Sequence, residues 1–286
     1  MKPEDVRNVG VVGCGIMGSG IVEVCAKAGM GVVFVEVDEE RRALGLQSIE
    51  RSTAKAVERG KMDETARQDA LDRITGSTDL ADLADSDLVI EAVTEALDTK
   101  LEIFRRLDEL VRPDVVMATN TSSLPIADLA AATKRPDKII GVHFFNPPPV
   151  MKLLEIVRAL TTSDETVDFA RKLGDRLGKT SVLAKDRAGF IVNFLLIPYL
   201  NSAIRMLDEG FATREDIDTG VVLGLGHPMG PLTLLDLIGL DTALNVSMVL
   251  YDEFKDPLYA PPTLLKRMVA AGYLGRKTGK GFYEYS

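Results

Sequence analysis

The chain has 286 residues, of which 46% are hydrophobic and 27% are charged, and its formal net charge at pH 7 is −9. A chain of this length favours two domains, and its acidic balance argues against binding to nucleic acid or to an anionic membrane surface. There are only two cysteines, the N-terminus has no apolar signal segment, and no apolar run is long enough to span a bilayer. We therefore expect a cytoplasmic protein with no disulfide framework, no metal site and no nucleic-acid or membrane partner.

The first predicted elements are a strand, a glycine-rich loop, a helix and a second strand. A β-branched run at residues 9–12 is followed by GCGIMGSG, by the helical spacing of IVEVCAKAG, and by VVFVEVD. In the pattern G-x-G-x-x-G, Gly13 would make the tight turn, Gly15 would let the backbone approach a pyrophosphate, and Gly18 would let the helix pack on the strand. The helix N-terminus would offer its N–H groups to the phosphates. The predicted loop contacts are Gly13, Cys14, Gly15, Ile16, Met17 and Gly18.

An acid follows the second strand. Glu36 lies 18 residues after Gly18, where a carboxylate can accept hydrogen bonds from both ribose hydroxyls and would repel a 2′-phosphate. This position favours NAD over NADP as the cofactor. The alternative is an ordinary glycine turn with a chance acid nearby.

A charged helical pair is predicted at about residues 40–72, inserted after the second strand. Asp63 can cap the second helix of the pair. Lys55 and Arg59 lie on the first helix, with Ser52 one turn before them. On composition alone, a charged run of this kind is usually a solvated face.

The pattern after the helical pair predicts alternating strands and helices. The predicted strands are at residues 88–93, 115–119 and 138–142, followed by LLEIV and TSVLA. From residue 186 onwards the apolar spacing is helical. We therefore predict an α/β fold: a Rossmann-type, doubly wound, mostly parallel sheet with the inserted helical pair in residues 1–185, followed by an all-α domain in residues 186–286.

Polar residues follow three successive predicted strands. Glu95 comes after the first of them, Asn120, Thr121 and Ser122 come after the second, and His143 comes after the third. In an open parallel sheet, ligands bind outside the carboxyl ends of the strands. We therefore expect these side chains to meet at the edge that also holds the glycine loop.

His143 is one of only two histidines and is a candidate general base. Hydride transfer from an alcohol requires a base for the hydroxyl proton, and imidazole suits this task because its pKa lies near 7. The prolines at residues 147–149 favour an extended path, so that Glu155 in LLEIV can return to the imidazole and stabilise its charged form. The alternative is a core histidine with satisfied hydrogen bonds.

Asn193 is a second unusual polar residue, because it lies in the apolar helical run FIVNFLLIPYL. The run is apolar on all sides, which predicts burial. A buried amide without a partner costs about 1–3 kcal/mol. Its partner is either another core group or a substrate oxygen.

Several motifs resemble those of the short-chain L-3-hydroxyacyl-CoA dehydrogenases, with most similarity to the bacterial 3-hydroxybutyryl-CoA members. Besides the glycine loop with its following acid, these motifs are NTSSL (120–124), HFFNPPPVMKLLE (143–155), GFIVN (189–193), HPMGP (227–231) and GRKTGKGFY (275–283). They occur in order across essentially the whole chain. Departures are few: Cys14 stands where a small residue is common, and Glu36 stands where many members have Asp.

The resemblance implies an enzyme that interconverts (S)-3-hydroxyacyl-CoA and 3-ketoacyl-CoA with NAD, as a homodimer that contacts its partner through the helical domain. The implied catalytic residues are His143, Glu155, Ser122 and Asn193. The cofactor contacts beyond the glycine loop are Glu36, Glu95, Lys100, Asn120, Ser122, Asn146 and Lys277. The implied CoA contacts are Ser52, Lys55, Arg59 and Ser122.

Two other functions compete with this interpretation. A related dehydrogenase could act on a substrate without CoA, such as a sugar acid, and would then not need the cations of the helical pair. A non-catalytic dinucleotide-binding protein would bind NAD without turnover. The His143, Glu155, Ser122 and Asn193 set argues against the second alternative, because a binding module has no need of a base.

Overall fold

The computed structural model describes residues 2–285, which separate into two compact units. The first unit ends at Arg187 and the second begins at Ala188. The sequence predicted a division between residues 185 and 186. Each unit has its own apolar core.

Eight strands of the first unit form a single sheet. They are β1 (Asn8–Val12), β2 (Gly31–Val35), β3 (Ile74–Ser77), β4 (Leu88–Glu91), β5 (Val116–Thr119), β6 (Ile139–Phe144), β7 (Leu153–Arg158) and β8 (Thr180–Lys185). Their order across the sheet is β3-β2-β1-β4-β5-β6-β7-β8. All neighbours are parallel except β6 and β7, which are antiparallel. The predicted doubly wound, mostly parallel sheet is therefore confirmed.

The strand order reverses between β1 and β4, which places a crevice at the carboxyl ends of these two neighbouring strands. The helices of this unit are α1 (Ile16–Lys27), α2 (Glu39–Glu58), α3 (Glu64–Leu71), α4 (Leu97–Leu110), α5 (Ile126–Ala131) and α6 (Asp164–Arg176). Every residue of β4, β5 and β6 is buried. This explains why these strands read as continuous apolar runs and not as alternating ones.

The inserted helical pair is shorter than its sequence pattern suggested. The predicted pair covers about residues 40–72 without a gap, whereas its first helix, α2, ends at Glu58. Gly60 has a φ of 64°, a left-handed conformation that stops a helix at little cost only when the residue is glycine. Asp63 caps α3 as predicted, because its side chain accepts a hydrogen bond from the backbone N–H of Ala66.

In the described part of the second unit the regular elements are helices, and two isolated β-bridges, Gly275–Lys280 and Lys280–Glu284, lie near its C-terminal end. Its helices are α7 (Val192–Asp208), α8 (Arg214–Leu225), α9 (Pro231–Ile238), α10 (Leu240–Phe254) and α11 (Thr263–Ala270). Leucine side chains from α7, α9, α10 and α11 form half of its buried core cluster. The buried carboxylate of Asp236 accepts backbone N–H bonds from Phe282 and Tyr283, and the hydroxyl of Tyr285 donates to it as well. The motif near the C-terminus therefore anchors the end of the chain to α9.

Among the described residues, no single helix is both long and apolar enough to cross a membrane. One bent pair, α9 with α10, passes this test of length and composition, with a bend of 97° between its helices. Both helices contribute buried leucines to the core of the second unit.

Candidate active site at the carboxyl edge of the sheet

The loop between β1 and α1 forms a cradle that fits a dinucleotide phosphate. Gly13 has a φ of 88°, and a Cβ added to Gly18 would lie 1.9 Å from the carbonyl oxygen of Gly13. A Cβ on Gly15 would meet nothing within 4 Å, so open space lies over the loop. Among the described residues no side chain caps the N-terminus of α1. The N–H groups of its first turn, at Ile16 and Met17, are therefore suited to hold the phosphates of NAD.

Glu36 directly follows β2 and reaches this loop. Its Oε1 accepts the backbone N–H of Cys14 over 2.5 Å, and its Oε2 accepts that of Val37 over 3.3 Å. The carboxylate therefore lies beside the glycine loop, and its contact with a ribose stays a prediction. Burial and the charge of Glu36 raise the pKa of the Cys14 thiol to about 12, so that this thiol stays protonated and unreactive at neutral pH.

His143 and Glu155 face each other across the one antiparallel strand pair of the sheet. The register of β6 and β7 pairs the two residues directly, so their side chains lie on the same face. Nδ1 of His143 is 2.7 Å from Oε2 of Glu155, and both side chains are buried. The ring of Phe145 lies 4.6 Å from the imidazole, centroid to centroid. With Nδ1 engaged by the carboxylate, proton exchange with a substrate would use Nε2.

Glu95 holds the turn that carries Ser122. Its Oε1 accepts hydrogen bonds from the hydroxyl of Thr121 over 2.7 Å, and from the backbone N–H and hydroxyl of Ser122 over 2.7 and 3.0 Å. Burial opposes ionisation of this carboxyl, but the charge of Lys100 and these hydrogen bonds outweigh it and lower the pKa of Glu95. An ionised carboxylate only accepts, so the hydroxyl proton of Ser122 points towards Glu95.

Lys100 lies inside the first unit, where only 1% of its surface is exposed. Its Nζ is 2.7 Å from Oε1 of Glu91 and 3.3 Å from Oε2 of Glu95. The predicted cofactor contact at Lys100 is therefore an internal ion pair in this structure. Sequence reasoning missed Glu91, although a lone acid in the apolar run LVIEAV was a usable signal.

The two asparagines of the predicted cofactor set have different surroundings. Oδ1 of Asn120 accepts the backbone N–H of Phe144 over 2.9 Å, which ties the end of β5 to the end of β6. Asn146 is exposed in the loop between β6 and β7. Asn120 thus braces the strand end that carries His143, whereas Asn146 is accessible to a ligand.

Asn193 and Lys277 belong to the second unit. Asn193 is only half-buried in the first turn of α7, where its neighbour Leu195 is exposed, so the expectation of full burial is wrong. The fully buried amide of this helix is Asn201, which donates to the carbonyl oxygen of Tyr259 over 3.4 Å. Lys277 forms an ion pair with Asp241, with both carboxylate oxygens 2.6 Å from Nζ.

Three of the four predicted CoA contacts lie on one face at the C-terminal end of α2, where Arg59 is the C-cap residue, and the fourth, Ser122, follows β5. Ser52 is half-buried, whereas Lys55 and Arg59 are exposed at successive turns. Within residues 2–285 neither cation takes part in an ion pair. Over the same range, no group of three or more His, Cys, Asp and Glu side chains is placed to hold a metal ion.

Two family models match this chain, and together they cover nearly all of it. Residues 8–187 match the 3-hydroxyacyl-CoA dehydrogenase NAD binding domain, and residues 189–285 match the 3-hydroxyacyl-CoA dehydrogenase C-terminal domain. The first match therefore includes the glycine loop and the His143–Glu155 pair.

Characterised relatives and solved structures agree with this assignment. The chain is 53% identical to a 3-hydroxybutyryl-CoA dehydrogenase of Mycobacterium tuberculosis, over 98% of this chain and 99% of the relative. It is 43% identical to the human mitochondrial hydroxyacyl-coenzyme A dehydrogenase, over 98% and 91% of the two chains. The crystal structure of (S)-3-hydroxybutyryl-CoA dehydrogenase PaaH1 from Ralstonia eutropha superposes with a TM-score of 0.93 at 48% identity, over 99% of this chain and 100% of the other.

The predicted family, cofactor and enzyme class are thereby confirmed. The cradle at the N-terminus of α1 and the acid after β2 are the parts of this chain that suit NAD. The protein belongs to the 3-hydroxyacyl-CoA dehydrogenase family and is an NAD-dependent oxidoreductase that acts on a CH–OH group.

Proposed function

We propose that the protein interconverts (S)-3-hydroxybutyryl-CoA and acetoacetyl-CoA. The observation that carries this proposal is the buried His143–Glu155 pair, with 2.7 Å between Nδ1 and Oε2, at the edge of the sheet that also bears the glycine loop. The names of the bacterial relatives support the four-carbon substrate.

In the direction of oxidation, Nε2 of His143 takes the proton of the substrate 3-hydroxyl. Glu155 stabilises the imidazolium that forms, because its buried carboxylate lies 2.7 Å from Nδ1 and can accept the N–H of the charged ring. Bound NAD would supply the acceptor for the hydride that leaves C3 of the substrate, and bound NADH would supply the hydride for the reverse reaction. Phe145 lies against the imidazole and helps to exclude water from the proton transfer.

Ser122 and Asn193 complete the proposed substrate contacts. Ser122 follows β5 at the same sheet edge as His143, and its turn is held by Glu95. Asn193 is included because it is the last residue of the family-like motif GFIVN. Its half-buried position in α7 leaves its amide accessible.

The unpaired cations of α2 are the proposed site for CoA phosphates. Lys55 and Arg59 are exposed on one face, with Ser52 one turn earlier. In a protein with a net charge of −9, a local pair of free cations is what a polyanionic group would need. This feature favours a CoA thioester over a sugar acid.

We further propose that the first unit binds NAD, and that the second unit contributes to substrate binding and to a homodimer in the cytoplasm. The second unit exposes large apolar side chains on α7 and α8, including Leu195 at 65% and Leu223 at 79% exposure. Such side chains are suited to burial against a second copy. Sedimentation at twice the chain mass of 31.1 kDa would support this arrangement, and sedimentation at the monomer mass would contradict it.

The assay that tests the function follows NADH absorbance with acetoacetyl-CoA. Free acetoacetate and NADPH serve as the two controls. We expect rapid NADH consumption with the thioester and at least about 100-fold lower kcat/KM in either control, because the CoA contacts and Glu36 discriminate against them. Equal rates with free acetoacetate would contradict the CoA assignment, and no turnover while NADH still binds would contradict the proposed reaction.

A further inference from the structure

A fully buried carboxylate lies behind the proposed active-site turn and has no part in the chemistry described above. Glu91 is the last residue of β4, and its exposure is 0%. Its Oε1 accepts from the backbone N–H of Val93 and from Nζ of Lys100, and its Oε2 accepts from the hydroxyl of Thr119, each over 2.7 Å. Both carboxylate oxygens are thus satisfied, by groups at the carboxyl ends of the neighbouring strands β4 and β5 and by a lysine of α4.

One branch of this network runs through charged groups to Ser122. Lys100 bridges Glu91 and Glu95, and Glu95 accepts both the backbone N–H and the hydroxyl of Ser122. Lys100 is the only cation in the ion pairs of these two carboxylates among the described residues. Its place between them therefore depends on the charge of Glu91.

A second branch reaches the same turn without passing through Lys100. The hydroxyl of Thr119 donates its proton to Glu91, so its oxygen is left to accept, and it accepts the backbone N–H of Thr121 over 3.2 Å. The hydroxyl of Thr121 in turn donates to Glu95 over 2.7 Å. Both branches start at the carboxylate of Glu91. One ends at Ser122, and the other ends at Thr121, the residue before it.

We propose that Glu91 is a positioning residue that fixes both the place and the hydrogen-bond direction of Ser122. This inference rests on the proposed function, which places Ser122 at the substrate. With Glu91 in place, Lys100 and Glu95 hold the Ser122 hydroxyl proton on the inner side and leave the lone pairs of its oxygen on the other side. Loss of the charge at Glu91 frees Lys100 to move towards Glu95 and to compete with Ser122 for that carboxylate.

The first test is a double-mutant cycle measured as reduction of acetoacetyl-CoA by NADH. Glu91→Gln keeps the size of the side chain and should lower kcat by about 10- to 100-fold, with the KM for NADH changed by less than about threefold. If Glu91 acts through Ser122, adding Glu91→Gln to Ser122→Ala should lower kcat by no more than about threefold further. If the loss of kcat in the double variant equals the product of the two single losses, the proposal is overturned.

A second pair of variants removes one branch and leaves the buried charges intact. Thr119→Val removes the hydroxyl at nearly constant volume, and Thr119→Ser keeps it. We expect a lower kcat in the valine variant and wild-type kcat in the serine variant, because only serine can link Glu91 to the N–H of Thr121. The two Thr119 variants also test the proposal if the Glu91→Gln variant does not fold. Wild-type kcat in Thr119→Val would overturn the role of this branch.

Amide hydrogen exchange gives a readout that needs no turnover. In Glu91→Gln, the amides of Thr121 and Ser122 should exchange at least about tenfold faster than in the wild type. The matched control is Glu23→Gln, which alters a carboxylate that is 2% exposed on α1 and pairs with Lys27. Unchanged exchange at the two amides, or the same increase in the control, would overturn the proposal. An inactive wild type whose amides still respond to Glu91→Gln would contradict only the proposed reaction.

Discussion

At the residue scale, the buried ammonium group of Lys100 offsets the negative charges of two carboxylates, those of Glu91 and Glu95. Lys100 is 1% exposed and Glu91 is fully buried, with 2.7 Å between Nζ and Oε1. Desolvation of both charges is expensive, so the pair tolerates removal of neither partner. A substitution that removes one of these buried charges should therefore lower stability more than one that removes an exposed charge.

The stability of the Lys100→Met variant tests this charge balance. Glu91 would remain buried without its cation, so we expect the free energy of unfolding to fall by about 3–5 kcal/mol in urea denaturation. Lys172→Met, at an exposed position on α6, is the control and should change it by no more than about 0.5 kcal/mol. A loss below about 1 kcal/mol for Lys100→Met would contradict the buried pair.

Acid titration tests the ionised state of Glu95. Its folded pKa is lowered below the ordinary value of 4.5, so the ionised form stabilises the folded protein above that value. This contribution is lost as the pH falls from about 4.5 through the lowered folded pKa. Glu95→Gln should therefore lose less stability than the wild type in this pH window, as measured by thermal unfolding. An equal loss in both proteins would contradict the assignment.

The same residues show what could be predicted at this scale. The His143–Glu155 contact follows from two strands that are joined by a proline-rich loop, because such a connection can return antiparallel with the two residues in register. The network around Glu91 was missed, since it depends on which side chains of β4, β5 and α4 meet in three dimensions. The internal position of Lys100 has the same cause.

At the scale of elements, helix α2 has one face that packs in the core of the first unit and another face that is proposed to bind the ligand. Its buried face, which includes Ile49 and Thr53, packs against α1, α3 and β3, whereas Lys55 and Arg59 are exposed. Gly60 ends the helical pattern earlier than its charged sequence suggested. β3 was not predicted at all, because its four residues ITGS lack a strong apolar pattern.

Charge reversal on α2 tests the proposed CoA face. Lys55→Glu with Arg59→Glu should raise the KM for acetoacetyl-CoA by about tenfold or more, with kcat nearly unchanged, because the phosphates lie far from the reacting carbon. The matched control is Arg171→Glu with Lys172→Glu, which makes the same charge change at exposed positions of α6. Equal KM values for both double variants would contradict the assignment of this face.

At the scale of the whole molecule, the hydrophobic pattern predicted a parallel sheet followed by helices, and the structure confirms that fold. The alternation of buried strands with amphipathic helices encodes this architecture locally, which is why it can be predicted from one sequence. The order of the strands in the sheet is a non-local feature, and it is known from the structure alone. The acidic net charge and the free cations of α2 together favour a specific anionic substrate over general anion binding.

The most direct test of the account is the turnover of His143→Gln, with NADH binding measured in the same preparation. Glutamine can keep a hydrogen bond to Glu155 but cannot transfer the substrate proton, so we predict that kcat for acetoacetyl-CoA reduction falls by about 10²- to 10⁴-fold. The affinity for NADH should stay within about threefold of the wild type, since the glycine loop is untouched. Near-normal turnover in this variant would contradict the assignment of His143 as the acid–base group.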